Sequence, residues 1–248
     1  MAMATGTATG TMETEDTVSN DWQRNISVYR LGLSNYKDTH RLQTRLQDQR
    51  RNGGGDDTLH ITEHKPVFTL GRGNPEPDLR VGRSVVANQG IEIIPTERGG
   101  NITYHGPGQL VAYTIVDLKA WECSVTDFVS GLEETVIHVL ADWGIRGDRK
   151  DQARGVWVED RKVASVGLYV RRWVTMHGIA LNVDPDMSHF DLINPCGLKD
   201  VEMTSLSREA SKGVAMAEVV ESFVDHFATV FDAEATYQQV PGKAAART

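Results

Sequence analysis

The sequence is poor in cysteine, in long apolar runs and in positive charge. Its 248 residues contain two cysteines, Cys123 and Cys196, which form no CxxC pair, so neither a disulfide framework nor a cysteine-rich zinc site is indicated. No stretch approaches the roughly 18 apolar residues that a membrane-spanning helix needs. The net charge of −8 argues against general affinity for nucleic acid or for an anionic membrane. We therefore expect a cytoplasmic protein, monomeric, with neither nucleic acid nor membrane as a partner.

The common nucleotide and zinc-hydrolase motifs are also missing. The glycines at 71, 73, 106 and 108 begin like dinucleotide-binding fingerprints, but Glu76 and Val111 stand where the last glycine is required. Neither a P-loop nor an HExxH helix occurs in the chain. We therefore expect an activity that uses no cofactor and no bound metal.

The pattern of apolar residues predicts one α+β domain in which a mixed sheet is flanked by helices. Residues 1–25 are interpreted as a disordered tail, residues 26–240 as the folded domain and residues 241–248 as a frayed C-terminus. Apolar residues at three- and four-residue steps predict helices over 36–51, 125–143 and 215–231. Strands are predicted over 26–33, 59–64, 67–70, 91–95 and 109–118, followed by an antiparallel meander of three runs between 155 and 183.

One glycine-rich segment stands out, at residues 98–109 (RGGNITYHGPGQ). It holds four glycines, a proline, an arginine and a Tyr-His pair, and it lies between two strand-like runs. Glycines let a backbone approach a ligand closely and leave its amide donors free. An elaborate hairpin loop would have a similar composition, because glycine and proline are the usual turn residues. Composition alone leaves both interpretations open.

Together with segments on both sides, this motif resembles the lipoyl(octanoyl) transferases, also called lipoate-protein ligase B. The resemblance covers about residues 26–209, with its motifs in the same order throughout. One departure follows the LGR of residues 70–72, where Gly73 and Asn74 replace a basic residue that members often carry. The other segments that carry the resemblance are 63–64 (EH), 155–158 (GVWV), 162–165 (KVAS), 175–178 (TMHG) and 194–197 (NPCG).

The resemblance implies a fold and an activity. The fold would be α+β, with a largely antiparallel sheet similar to that of the biotin and lipoate protein ligases. The activity would move an octanoyl (or lipoyl) group from acyl carrier protein to a lysine of lipoyl domains, in 2-oxoacid dehydrogenases and the glycine cleavage H protein. Cys196 would be the acyl-thioester nucleophile, and Lys162 the general acid/base that lowers the cysteine pKa. The implied substrate contacts are Arg98, Gly99, Gly100, Asn101, Ile102, Thr103, Tyr104, His105, Ser165, Val166, Gly167, Gly178, Ile179 and Ala180.

These residue types suit the implied chemistry. A thioester is already activated, so a cysteine thiolate can accept its acyl group without ATP. A free cysteine has a pKa of about 8.5 and is mostly protonated at neutral pH, so a neighbouring cation or amine raises its reactivity. Without the resemblance, a lone cysteine is more often a core residue, as we interpret Cys123, and Lys162 beside Asp160 and Arg161 is a solvated hairpin charge.

Three other activities remain as alternatives. An ATP-dependent lipoate or biotin ligase would share the implied fold, although a lipoate ligase would not need Cys196 and a biotin ligase would carry a GRGR-type loop. A non-catalytic module would bind lipoyl or carrier domains without turnover. A cysteine hydrolase would pair Cys196 with His177 and release free octanoate. The sequence assigns no catalytic role to His64, His105 or His177.

One stretch of the chain is basic although the whole is acidic. Residues 146–172 contain eight Lys or Arg and four Asp or Glu, a local charge of +4. Acyl carrier proteins are acidic as a class, so part of this stretch is predicted to dock the donor. Salt would then weaken transfer through the association step.

Overall fold

The computed structural model describes residues 24–73, 76–150, 153–195 and 201–239. Most of the tail predicted at residues 1–25 and the whole C-terminal segment 241–248 lie outside the described residues, and so does Cys196. Arg24 and Asn25 begin the first strand. The strands are β1 (Arg24–Ser34), β2 (Thr58–His64), β3 (Val67–Leu70), β4 (Glu92–Pro95), β5 (Ile102–His105), β6 (Gln109–Ile115), β7 (Asp148–Lys150), β8 (Ala153–Val158), β9 (Arg161–Arg171), β10 (Val174–Asn182), β11 (Glu202–Met203) and β12 (Ala233–Gln238).

A mixed sheet of nine strands forms the centre of the described structure. Its order is β12-β1-β2-β6-β10-β9-β8-β7, with β11 paired to β9. The pairs from β2 through to β7 are antiparallel, whereas β1 runs parallel to both of its neighbours. The predicted meander is confirmed as β8, β9 and β10. A separate three-stranded sheet, in the order β4-β3-β5, carries part of the glycine-rich segment.

Two long helices cover one face of the large sheet. The helices are α1 (Tyr36–Arg51), α2 (Arg83–Asn88), α3 (Val125–Asp142), α4 (Leu206–Glu209) and α5 (Met216–Phe231). The Ser124 side chain caps α3 by accepting a hydrogen bond from the Asp127 amide. The apolar stripes of α3 and α5 face one main core cluster, which also takes the inward residues of the sheet. A Cβ at Gly131 would lie 2.5 Å from the Phe231 ring, so this glycine lets α3 and α5 approach closely.

The opposite face of the sheet is covered by α1, whose bounds match the prediction. Its contact face is not the apolar one that the periodicity indicates, because Leu42 and Leu46 are only half-buried while Gln43 and Gln47 are buried. Gln43 accepts a hydrogen bond from the His177 amide, and Gln47 donates one to the Val174 carbonyl. Backbone groups of β10 need partners where α1 covers them, and the two glutamines supply those partners. The described residues contain no helix long and apolar enough to cross a membrane.

Candidate active site

A narrow cavity lies between the large sheet and the glycine-rich segment. On the sheet side, Ser165 pairs with Ala180, and Gly167 pairs with Gly178. Residues directly opposite in an antiparallel pair face the same side, so these small side chains leave a slot over β9 and β10. The cavity is lined by Tyr36, Arg98, Gly99, Gly100, Thr103, His105, Val111, Tyr113, Ser165, Val166, Gly167, His177, Gly178, Ile179 and Ala180.

Strand alternation divides the predicted substrate residues of β5. Thr103 and His105 face the cavity, whereas Ile102 and Tyr104 belong to a second apolar cluster. The side-chain amide of Asn101 also points away from the cavity and donates to the Asp78 carboxylate at 2.6 Å. Burial raises the pKa of Tyr104 to about 12. All the other predicted contacts on β9, β10 and the glycine-rich segment line the cavity.

Arg98 holds the glycine-rich segment in place. Its guanidinium is buried and donates to the Thr69 carbonyl at 2.5 Å and to the Gly99 carbonyl at 3.0 Å. A Cβ on Gly71 would lie 2.2 Å from the Gly100 carbonyl oxygen and 2.8 Å from the Arg98 Nη1. The glycine of the LGR segment is therefore required for the close approach of the two loops.

His105 and Tyr113 line the cavity, and the buried ring of His64 packs against both of them. The His64 Nε2 lies 2.7 Å from the Tyr113 hydroxyl, and its Nδ1 lies 3.1 Å from the Ser34 hydroxyl. The His105 Nδ1 lies 2.7 Å from the Gln109 Oε1. Burial lowers the pKa of His64 to about 4 and that of His105 well below its usual value, so both rings are neutral at pH 7.

One trio of described side chains at the cavity wall could hold a metal ion. The donor atoms of His40, Glu97 and His177 lie within 4.8 Å of one another. The His40 Nε2 is 2.8 Å and the His177 Nε2 is 3.7 Å from the Glu97 carboxylate. Hydrogen bonding to His177 and His40 lowers the pKa of Glu97. The Thr96 hydroxyl, 3.2 Å from the His177 Nε2, gives that ring a further partner, so hydrogen bonds account for the arrangement without a cation.

Lys162 is buried, contrary to the solvated hairpin charge that the sequence alone favours. It is 1% exposed, its Nζ donates to the Arg154 carbonyl at 2.6 Å, and it lies 5.4 Å from the Trp157 ring centre. The bulged pairing of β8 with β9 opens the space for the side chain. A Cβ on Gly155 would lie 2.6 Å from the Lys162 Cε, and Gly155 has φ +119°. Only glycine fits there.

The two cysteines have different environments. Cys123 is half-buried before α3, and burial raises its pKa. Residues 196–200, which include Cys196, lie outside the described residues, but the chain on both sides of them is described. The Asn194 amide donates to the Asp78 carbonyl at 2.7 Å. After the gap, Met203 pairs with Lys162, and the Thr204 amide donates to the Lys162 carbonyl at 2.9 Å.

The sequence missed four residues that line the cavity. Val111 and Tyr113 lie on β6, which it predicted only as a buried strand, and Tyr36 lies at the start of α1. The fourth, His177, was noted in the TMHG segment without a role. Alternation along β6 turns Val111 and Tyr113 to the same side, but the side that faces the cavity depends on the pairing of β6 with β10.

Solved structures define the class of this fold. A bi-partite lipoate protein ligase of Thermoplasma acidophilum gives a TM-score of 0.67 at 14% identity, with 88% of each chain covered. Lipoate-protein ligase A bound with ATP gives a TM-score of 0.67 at 13% identity, covering 89% of this chain and 90% of that chain. The fold is that of the lipoate protein ligases, which confirms the predicted fold class.

Sequence comparison then identifies the family. The lipoyl protein ligase A/B catalytic domain matches residues 35–228. An octanoyltransferase of Solibacter usitatus is 42% identical over 221 residues, which cover 88% of this chain and 97% of that relative. An octanoyltransferase of Myxococcus xanthus is 41% identical over 215 residues, which cover 84% of this chain but 60% of that relative. The chain belongs, as the motifs predicted, to the octanoyltransferases of the lipoyl protein ligase A/B family.

Proposed function

We propose that this enzyme transfers an octanoyl group from acyl carrier protein to a lysine of a lipoyl domain, through a thioester on Cys196. The acceptors are the lipoyl domains of 2-oxoacid dehydrogenases and the glycine cleavage H protein. Two relatives above 40% identity that are octanoyltransferases support the acyl group. The carrier-protein donor and the thioester are inferred from the residues that match the family motifs, which are Cys196 in NPCG and Lys162 in KVAS.

The reaction divides into two half-steps. In the first, Lys162 takes the proton of the Cys196 thiol, the sulfur attacks the octanoyl carbonyl, and the carbon–sulfur bond to the carrier breaks. The carrier sulfur leaves with the proton that Lys162 returns. In the second, the neutral amine of the acceptor lysine attacks the thioester carbonyl and gives one proton to Lys162, the carbon–sulfur bond to Cys196 breaks, and Lys162 returns that proton to the Cys196 sulfur. Amide formation from a thioester runs downhill, so no ATP is consumed.

The buried position of Lys162 is the single observation that carries this proposal. The Lys162 side chain is 1% exposed, and burying a polar or charged group is costly unless it has partners, so a buried lysine among the motif residues supports a functional role. Met203, seven residues after Cys196, pairs with Lys162, so this part of the chain lies close to the lysine. The nearby slot supports an acyl site, although its volume of about 40 Å³ admits an eight-carbon chain only if lining side chains shift.

The mass of the intact protein after brief incubation with octanoyl-carrier protein tests this proposal. We expect a gain of one octanoyl group that is lost in Cys196→Ala and that moves to an added lipoyl domain. Cys123→Ala is the matched control, since it removes the other cysteine and should leave the mass gain intact. If the wild type never gains mass while ATP and free octanoate label the lipoyl domain with release of AMP, the enzyme is a ligase and Cys196 has another role.

Donor docking is proposed for the end of the basic stretch that lies near Lys162. Ion pairs with Glu133 and Glu209, which lie outside the stretch, occupy Arg154 and Arg161, so the stretch is less positive than its composition suggests. Lys150 pairs within the stretch, with the exposed carboxylate of Asp160. Arg146 and Lys150 lie beside β8, which pairs with the strand of Lys162. Arg171 and Arg172 are exposed and lie at the far end of β9 and just after it. They are nine or more residues, about 30 Å, from Lys162.

Two variants with the same change of charge test this docking surface. At low salt, Arg146→Glu/Lys150→Gln should lower kcat/KM for octanoyl-carrier protein about tenfold, because it weakens electrostatic association. Arg171→Glu/Arg172→Gln changes the charge equally at the far end and should have little effect. The difference should fade as salt rises, since screening shortens the range of the interaction. Equal losses from both variants would reject a localised docking surface.

A further inference from the structure

Glu133 is a buried carboxylate that neither the family motifs nor the cavity explain. It lies in the middle of α3 and is 1% exposed. One oxygen accepts a hydrogen bond from the Gly155 amide at 2.7 Å. The other lies 3.3 Å from the Arg154 Nη1 and 3.4 Å from the Arg149 Nε. Acidic residues are almost never fully buried unless they are paired, and both oxygens of this one are paired with residues on β7 and β8.

The peptide that Glu133 holds is the one that holds Lys162. The Gly155 amide and the Arg154 carbonyl belong to the same peptide bond, which is planar. Glu133 accepts from the amide side, and the Lys162 Nζ donates to the carbonyl side at 2.6 Å. A shift of this peptide would therefore move the acceptor of the lysine.

The strand that carries this peptide is irregular. Gly155 has φ +119°, and the register of β8 against β9 shifts between Val156 and Trp157. A bulged strand with a glycine at positive φ lacks the regular ladder that would fix an ordinary strand residue. The carboxylate of α3 supplies the missing constraint from the helix layer.

We propose that Glu133 is a positioning residue that fixes the Arg154–Gly155 peptide, so that the Lys162 amine is held at the place where it exchanges protons with the acyl-transfer groups. This inference rests on the proposed role of Lys162. Glu133 touches no substrate in this arrangement and acts through the peptide and the lysine. The effect should appear in kcat, while the KM for carrier-bound substrate changes little.

Paired substitutions separate the hydrogen bond of Glu133 from its charge. Glu133→Gln keeps an oxygen that can accept from the Gly155 amide, and it should retain kcat within about threefold. Glu133→Ala removes the acceptor, and it should lower kcat at least thirtyfold with KM within twofold. Glu134→Ala is the matched control, because Glu134 is the next residue, is partly exposed and also pairs with Arg149. Circular dichroism at the assay temperature establishes that each variant is folded.

A double-mutant cycle with Lys162→Ala decides whether Glu133 acts through the lysine. If it does, the rate of Cys196 acylation in Glu133→Ala/Lys162→Ala should equal that of Lys162→Ala alone. Multiplied losses, or a loss in Glu133→Ala that follows only its unfolded fraction, would overturn the proposal. If Lys162→Ala retains full activity, the role proposed for the lysine fails instead, and that result is distinguishable because it needs no Glu133 variant.

Discussion

Replacing Lys162 by methionine should abolish most acyl transfer while leaving the protein folded. Methionine has a similar length, so it fills the space over Trp157 with an apolar side chain. The change removes a buried polar group but leaves the Arg154 carbonyl without its donor, and we expect the free energy of unfolding to change by no more than about 2 kcal/mol. Loss of a general acid/base should cost about 10²- to 10⁴-fold in the rate of acyl transfer.

Single-turnover transfer and urea unfolding of the same preparations measure these two effects. Lys162→Arg is the informative companion, because arginine keeps the positive charge but does not give up a proton at neutral pH. If the lysine only stabilises the thiolate by its charge, the arginine variant should retain acylation of Cys196. If it moves protons, both variants should fail. A methionine variant with activity within tenfold of wild type would contradict the assignment of Lys162.

The elements with the clearest apolar periodicity were predictable from the sequence, and the edge of the sheet was not. The bounds of α3 and α5 agree with the prediction to within one residue, and the β8–β10 meander agrees with it as well, because periodicity and turn residues act locally. Strand β12 was missed: its residues alternate between half-buried and exposed, and it forms only as a parallel neighbour of β1. A strand of that kind is specified by its partner more than by its own residues.

Part of the site was likewise predictable from sequence motifs, and the rest depends on strand pairing and helix packing. The glycine-rich segment and the small residues of β9 and β10 stand out in the sequence, and most of them line the cavity. Tyr113 and Glu133 carry no local signal, because an isolated tyrosine in a strand and a glutamate in a helix are ordinary residues there. Their positions follow from β6 pairing with β10 and from α3 packing beside β8. The burial of Lys162 likewise depends on Gly155, seven residues earlier.

Acid should destabilise this protein as the pH falls from 6.5 towards 4, because several neutral histidines are buried in it. Burial lowers the pKa of His60 to about 4 and that of His64 to about 4, from 6.5 in the unfolded chain. Both side chains are almost fully buried. Above pH 6.5 both rings are neutral in either state, and their contribution to stability is complete. As the pH falls towards 4, the unfolded chain binds protons that the folded protein excludes, so stability is lost.

The magnitude follows from the size of the shifts. Each ring should cost about 3 kcal/mol between pH 6.5 and pH 4, and two together are comparable with the 5–15 kcal/mol that hold a typical domain. His105, whose pKa burial also lowers, adds to the same loss. Urea unfolding at several pH values measures it. His60→Gln should reduce the slope of unfolding free energy against pH by up to about 1.4 kcal/mol per unit. Equal slopes in His60→Gln and wild type would mean that the buried ring is already protonated in the folded protein. The neutral state assigned to His64 beside Tyr113 would then need revision, because burial lowers the pKa of His64 in the same way.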